Sequence, residues 1–346
     1  MEGGFETFMK IDVAVIGMGV GEKHAKIYQE NKFVRLKKIY EKDEKKVKFF
    51  KKFYPNVEFV KNENEIFFDK SIKIISLASF DNYHAKQILK GVKYKKHIFV
   101  EKPICQTLNE LKKIYKILAV QKKIKFSCNL VLRKTKQFMQ INKISSKKKI
   151  GKIYYLEADY NYGRLWKLVR GWRGKIPFYS VMQGGGVHMI DLILNICKDL
   201  PVQVKAYGNK IVTKKTNFNF NDLSVAILKF KDGKILKVTS NFSCVAPHHH
   251  SIKIFGQKGT IFNDYYGATY FRSRDKKKQP LRFNFKYTNK EKGDLLRDFI
   301  LNITNQSSKQ IIPISELMNV MLVCFAIDKS IKLNKTVDIH YDKFKI

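Results

Sequence analysis

The sequence predicts an α/β protein in two parts: a doubly wound parallel sheet first, then a second domain built on antiparallel strands. Three observations predict it. Lys10 to Ala25 reads as a short apolar strand, a glycine-crowded turn and a helix opening. Strand and helix patterns then alternate to about residue 127, as they do in a parallel sheet with both faces covered. Beyond Asn129 the helical patterns thin out and runs of alternating apolar residues take over, two of them joined by the hairpin turn Asp232-Gly233.

The first element carries the earliest functional signal. Ile11, Val13, Val15 and Ile16 form the strand, and Gly17, Gly19 and Gly21 crowd the turn after it, with Val20 between the last two. Such a turn must be tight and must let backbone approach a pyrophosphate, while the following helix offers free N–H groups and its positive end. The spacing is G-x-G-x-G, one residue shorter than the usual G-x-G-x-x-G, whose third glycine would fall at Glu22. A second strand, Val34 to Tyr40, ends in Glu41, about 24 residues after Gly17 and near the distance expected for the acid on the adenosine ribose. A carboxylate there repels a 2′-phosphate and favours NAD; Lys42 beside it leaves NADP open.

Further along, a Lys-rich helix is expected over Asp43–Phe53, a short strand at Val57–Val60 and a small helix near Glu63–Phe68. Lys73–Ala78 is apolar enough for a central parallel strand. It delivers Ser79-Phe80-Asp81-Asn82-Tyr83-His84, followed by a helix from Ala85 to Val92. The strand His97–Val100 delivers Glu101-Lys102-Pro103, and a helix Leu108–Gln121 with a strand Ile124–Cys128 completes the unit.

A glycine turn followed by a His-Ala helix start, a strand ending in A-S-x-x-x-x-H, and then E-K-P together resemble the Gfo/Idh/MocA oxidoreductases. The resemblance runs from Asp12 to about Ile331, and E-K-P is its most specific part. It implies a Rossmann NAD(P)-binding domain over residues 1–128. It also implies a substrate-binding and oligomerisation domain over 129–346, with a large, mostly antiparallel sheet and C-terminal helices packing back. N-L-V-L-R (129–133) matches the family's crossing into that domain. Strands are expected at Ile153–Tyr160, Val202–Ile211, Leu223–Phe230, Lys234–Asn241 and Ser251–Phe255, and helices at Gln137–Ile144, Lys292–Asn302 and Ser315–Leu333.

Ligands of an open α/β sheet sit beyond the carboxyl ends of its strands. The candidate cofactor contacts are therefore Gly17, Gly19, Val20, Gly21, Glu41, Ser79, Phe80, Asn82, His84, Glu101 and Lys102. Lys102, desolvated and close to an oxidised nicotinamide, is expected to lose its proton more readily than free lysine and to help deprotonate a substrate hydroxyl. The resemblance gives its lysine that kind of role. It also puts His188, in Gly184-Gly185-Gly186-Val187-His188-Met189-Ile190-Asp191, at the catalytic histidine. Asp191, three residues on and on the same helix face, is available to orient that histidine or to bind substrate. Many relatives carry an Asp four residues before this histidine; here that position is Gly184, so either Lys102 or His188 alone is left to handle the proton. Asn129, Arg133, Trp172 and Arg173 complete the candidate substrate contacts, Arg173 as a bidentate phosphate ligand and Trp172 as a stacking ring. His24 reads as a structural residue beneath the glycine turn. His248-His249-His250 is set aside as a metal site, because neighbours in a strand face opposite ways.

Composition narrows the classes. With 346 residues the chain suits two domains, and its hydrophobic fraction of 44% is that of a folded protein. The net charge of +38 comes mostly from lysines spread along the whole chain, not from an arginine-rich face, so nucleic acid is not the expected partner. The field should still draw anionic ligands into a cleft. No membrane span or signal peptide is expected, and five dispersed cysteines suggest reduced thiols and a cytoplasmic protein without a metal. The expected function is NAD(P)-dependent oxidation of a secondary hydroxyl on a sugar, cyclitol or nucleotide sugar, by a homodimer or homotetramer formed through the second domain's sheet. The rival is a non-catalytic cofactor-sensing regulator on the same fold.

Overall fold

The computed structural model describes residues 10–146, 149–283, 293–306 and 312–341. The N-terminal stretch read for a signal peptide lies outside the described residues, as does Lys292, the expected start of a late helix. The described residues divide into two compact units, one drawn from Met1–Asn129 and Gly293–Ile314, the other from Leu130–Lys292 and Ser315–Ile346.

The first unit is a six-stranded parallel sheet. Its elements in chain order are β1 (Ile11–Ile16), α1 (Gly21–Glu30), β2 (Val34–Tyr40), α2 (Glu44–Lys51), β3 (Glu58–Val60), α3 (Asn64–Phe67), β4 (Ile72–Leu77), α4 (Asp81–Lys93), β5 (His97–Val100), α5 (Leu108–Val120) and β6 (Phe126–Cys128). The strand order β3-β2-β1-β4-β5-β6 reverses direction between β1 and β4, the crevice where such sheets take their ligands. Val13, Ala14, Val15, Ile16, Ile74, Ile75 and Leu77 are wholly buried, as strands covered on both faces must be. Local signals fix several helix starts. Asp43 caps α2 by accepting from the Lys45 and Lys46 amides, and Thr107 with Glu110 forms a reciprocal capping box on α5.

Two expectations about this unit need correction. The helix expected from Ala85 begins at Asp81, because Phe80 is extended and Asp81 brings an acid to the helix's positive end. The stretch Asp81–His84 is thus a helical first turn, not a loop. The unit also recruits Gly293–Ile314, a segment assigned by sequence to the second domain. The reason lies in the helix Asp294–Ile303, whose Leu296, Phe299 and Ile300 are buried. Phe299 lies 5.6 Å from Phe99 of β5, and a Cβ on Gly293 would lie 2.4 Å from Ile27 Cδ1 of α1.

The second unit is a nine-stranded sheet with helices. Its first elements are α6 (Lys136–Ser146), β7 (Ile153–Asn161), α7 (Trp166–Val169) and α8 (Val187–Cys197). β8 (Pro201–Asn209), β9 (Leu223–Phe230), β10 (Ile235–Asn241), β11 (His249–Gly256), β12 (Gly259–Asn263), β13 (Ala268–Phe271) and β14 (Leu281–Phe283) follow. After the helix Asp294–Ile303, here α9, come α10 (Ile314–Leu333) and β15 (Val337–Asp338). The order is β14-β13-β12-β11-β7-β10-β9-β8-β15, antiparallel throughout except for the central pair β7 and β10. The hairpin at Asp232-Gly233 joins β9 to β10 as expected, with Gly233 at φ +86°. Leu156, Ala158, Leu228, Leu236, Val238, Ile252 and Ile254 alternate along the strands and form the sheet's buried face. Among the described residues no helix is long and apolar enough to cross a membrane.

Candidate active site

In the first unit the three glycines have three different reasons. Gly17 has φ +90°, and a Cβ there would lie 2.6 Å from the Ala78 carbonyl oxygen just beyond β4. Gly19 faces open space, with nothing within 4 Å of a notional Cβ. Gly21 is the first residue of α1 and packs so close that a Cβ would meet Val15 Cγ1 at 2.9 Å. The shortened spacing thus still gives a tight turn, an open backbone and close helix–strand packing. Val20 is half exposed at the N-cap of α1 and supplies no capping side chain. Glu41 braces the turn from β2: its Oε2 accepts the Met18 amide at 2.7 Å and its Oε1 the Asp43 amide at 2.9 Å. A carboxylate has roughly four lone-pair sites, so this leaves Glu41 able to accept further hydrogen bonds.

Ser79 donates its hydroxyl to Gln87 Oε1 at 2.6 Å, and Phe80 is exposed. Asn82 has a buried Oδ1 with no hydrogen-bond partner among the described residues. His84 sits at the same carboxyl edge, between the loops that follow β4 and β5. It is wholly buried, with Nδ1 2.7 Å from the Pro103 carbonyl oxygen and Nε2 3.2 Å from that of Ser79. It clips the loop after β4 to the Glu-Lys-Pro turn after β5 and offers no surface to a cofactor.

Glu101 is nearly buried and holds two neighbours. Asn129 Nδ2 donates to its Oε1 at 2.6 Å, and His24 Nε2 lies 3.2 Å from the same oxygen. Burial pushes the Glu101 carboxyl up, but His24, Asn129 and Lys102 outweigh it and hold it below the usual carboxylate range. His24 therefore pairs with Glu101 and meets Phe99 edge-on at 5.4 Å. Asn129, expected at substrate, is 5% exposed and spends its amide on Glu101, while its Oδ1 has no partner among the described residues. Lys102 is half-buried at the end of β5. Gly17, Ser79, Lys102 and Asn129 thus follow β1, β4, β5 and β6 along one carboxyl edge.

In the second unit, one π-helical turn, Met182–Gly186, leads into α8. His188 is 7% exposed, stacked 6.1 Å from Tyr160 of β7 and edge-on to His250 of β11 at 6.2 Å. Asp191 is wholly buried and belongs to Arg133. The guanidinium Nε lies 3.0 Å from both of its oxygens, Nη2 lies 2.5 Å from Oδ1, and Nη1 reaches Glu316 at 2.6 Å. Burial raises the Asp191 carboxyl even against Arg133's charge. These two candidate substrate contacts are thereby engaged with each other.

Gly184 is as small as it is because Tyr179 is there. A Cβ would overlap the Tyr179 hydroxyl and lie 2.6 Å from its Cζ. Arg173 Nε donates to that hydroxyl at 2.9 Å, and its guanidinium carbon lies 4.6 Å from the Trp172 ring centroid. The π turn is also tied to α10, where Asp328 accepts from Ser180 at 2.7 Å and Gln183 at 2.8 Å. The sequence reading did not single out Tyr179 or Asp328. His248 and His250 both pack on Tyr160, whereas His249 turns away to Asn161.

Two family models match: the one described as "Oxidoreductase family, NAD-binding Rossmann fold" over residues 11–129, and the "GFO/IDH/MocA C-terminal domain" over residues 138–262. The chain belongs to the Gfo/Idh/MocA oxidoreductase family. It is 23% identical over 260 residues to myo-inositol 2-dehydrogenase of Thermotoga maritima, a match covering 73% of this chain and 75% of that protein. An uncharacterized oxidoreductase of Schizosaccharomyces pombe is 26% identical over 144 residues, 41% of this chain and 39% of that protein. Against scyllo-inositol dehydrogenase of Lactobacillus casei, solved with NAD(H) and scyllo-inositol, the TM-score is 0.78 at 18% identity. That match covers 96% of this chain and 99% of the other.

The first unit is thus this family's NAD-binding domain, and its residues fit the cofactor. Gly19 leaves open space at the helix start, α1 lacks a side-chain cap, and Glu41 stands at the turn with acceptor capacity to spare. Asn82 and Asn129 each keep a buried oxygen without a partner among the described residues, as an edge that receives a polar ligand would.

Proposed function

We propose that this member of the Gfo/Idh/MocA family is an NAD-dependent dehydrogenase that oxidises a secondary hydroxyl of a sugar, cyclitol or nucleotide sugar. The observation that carries the reading is Lys102 at the end of β5, on the same carboxyl edge as the glycine turn and Glu41. The pyrophosphate would lie at Gly19, Val20 and Gly21, and the ribose at Glu41, whose negative charge disfavours a 2′-phosphate. A nicotinamide cofactor bound there would supply the hydride acceptor. Lys102 takes the hydroxyl proton as the hydride leaves, and Glu101, fixed by His24 and Asn129, orders the residue beside it. His188, held by Tyr160 and His250, supplies a second acid/base group of the kind that works near neutral pH.

The test is Lys102→Met. Turnover of a sugar panel should fall by about 10²–10⁴-fold, the usual contribution of a general base, while NADH binding remains. Near-normal turnover in that variant would remove the role. The outer face of the second unit's sheet carries Tyr155, Phe255, Phe262 and Phe271 in a row, with exposed Ile227 and Ile235 nearby. We infer that this apolar face meets a second copy of the chain. Light scattering should give a dimer or tetramer, and charging Ile227 and Phe262 should yield monomer.

A further inference from the structure

The chain's two tryptophans, Trp166 and Trp172, lie in one cluster with Arg164, Lys167 and Arg173 around Tyr162. Arg164 stands 5.3 Å and Lys167 5.9 Å from the Tyr162 ring centroid. Lys167 also lies 5.4 Å from Trp166, and Arg173 is seated on Trp172 and the Tyr179 hydroxyl. Arg164 and Lys167 are thus laid on aromatic rings. Elsewhere in this unit the enclosed cations sit on carboxylates: Arg133 on Asp191, Lys234 on Asp199 and Lys237 on Asp159. Neither Arg164 nor Lys167 has a carboxylate within ion-pairing distance among the described residues. Tyr162 itself is 6% exposed. Burial pushes its phenol up, yet Arg173, Lys167 and Arg164 outweigh that and hold it below its ordinary value. The ring also connects the cluster to the acid/base group, for Tyr162 stacks on Tyr160 at 5.6 Å and Tyr160 on His188 at 6.1 Å.

Like charges gathered around a buried ring repel one another, and an anion among them relieves the repulsion while gaining charge-assisted hydrogen bonds. We propose that the substrate carries an anionic substituent, a carboxylate or a phosphoryl group, received by Arg164, Lys167 and Arg173 around Tyr162. The planar fork of Arg173, held by Trp172 and Tyr179, suits two oxygens of such a group. Lys167 adds charge beside it, and the exposed Arg164 adds charge from the solvent side. This deepens the dehydrogenase reading and rests on it only in calling the ligand a substrate.

Because both tryptophans touch the cluster, intrinsic fluorescence reports on it directly. The protein is titrated, without nucleotide and at constant ionic strength, with glucuronate, a hexose monophosphate, glucose and inorganic phosphate. A saturable change with glucuronate or the hexose monophosphate, and none with glucose, is expected; which of the two responds identifies the anion. Arg173→Gln and Lys167→Gln should each weaken that binding by at least about tenfold, the loss of one charge-assisted contact. Equal responses to glucose, equal affinity for inorganic phosphate, or unchanged binding in both variants would overturn the proposal. NADH formation is then followed with the same sugars. Oxidation of glucose alone would end the anionic-substrate proposal and leave the dehydrogenase standing, whereas a positive titration with no NADH from any sugar would do the reverse.

Discussion

Arg133 and Asp191 decide whether this part of the second unit is a scaffold or a substrate contact. Replacing Arg133 with Met would leave the wholly buried Asp191 carboxylate without its three guanidinium contacts, and Glu316 without one. Asp191 already titrates above its ordinary value with Arg133 present, so removing the cation pushes it further toward the neutral acid. Breaking a buried pair from one side costs about 3–5 kcal/mol, most of it the uncompensated charge. At about 2–4 °C per kcal/mol for a unit of this size, the midpoint of thermal unfolding should drop by about 6–20 °C. The double variant Arg133→Met with Asp191→Leu removes both charges and should recover at least about half of that loss, because paired burial of charge is itself expensive. Circular dichroism melts of the single and double variants, with urea unfolding as a second measure, read the cycle directly. A stable Arg133→Met variant whose only defect is a raised KM would refute the scaffold reasoning and restore Arg133 as a substrate ligand.

Further outcomes follow from other contacts. Gly184→Ala pushes a methyl group against Tyr179 and should destabilise by about 1–3 kcal/mol. Adding Tyr179→Phe should return part of this in a thermal melt, and no rescue would mean the hydroxyl is not the obstacle. Burial lifts Asp328 from 3.8 to about 6 despite its bonds to Ser180 and Gln183. Between those values the folded protein keeps a proton that the unfolded chain has released, so stability falls as pH rises through the window. It levels off above about pH 6, after a loss of at most about 3 kcal/mol at ~1.4 kcal/mol per unit. Asp328→Asn should flatten that slope, and an unaltered pH–stability curve would count against it. Glu41→Ala removes the acceptor for the Met18 and Asp43 amides and should weaken NADH binding by about tenfold or more, read by NADH fluorescence. Equal affinity would show that the turn holds its shape unaided.

The parallel sheet was readable because its central strands are buried on both faces and write nearly unbroken apolar runs, as in Val13–Ile16 and Ile74–Leu77. The glycine turn was readable too, since Gly17 at positive φ and Gly21 against Val15 leave no room for a side chain. What escaped had no local pattern to offer. β13, β14 and β15 have only four, three and two residues, too few for alternation to register. The pairing of Arg133 with Asp191 joins residues 58 apart, and nothing in either neighbourhood announces it. Gly184 could be seen to lack a side chain, but not that Tyr179 fills the space. His84 could be placed at the sheet's carboxyl edge because it follows a strand end, but its two carbonyl partners, Pro103 and Ser79, could not be read from its neighbours.

The return of Gly293–Ile314 to the first unit sets a condition on how the protein comes into being. Chain emerging from a ribosome would have the six parallel strands complete by residue 128, yet the patch around Ile27 and Phe99 would stay uncovered until Phe299 arrived. A nascent Rossmann half must therefore wait, greasy side open, through the synthesis of almost the entire second sheet. No single cut can release it intact: a fragment ending near Cys128 should be sticky and poorly soluble, and supplying the 293–314 stretch as a separate peptide is the way to mend it.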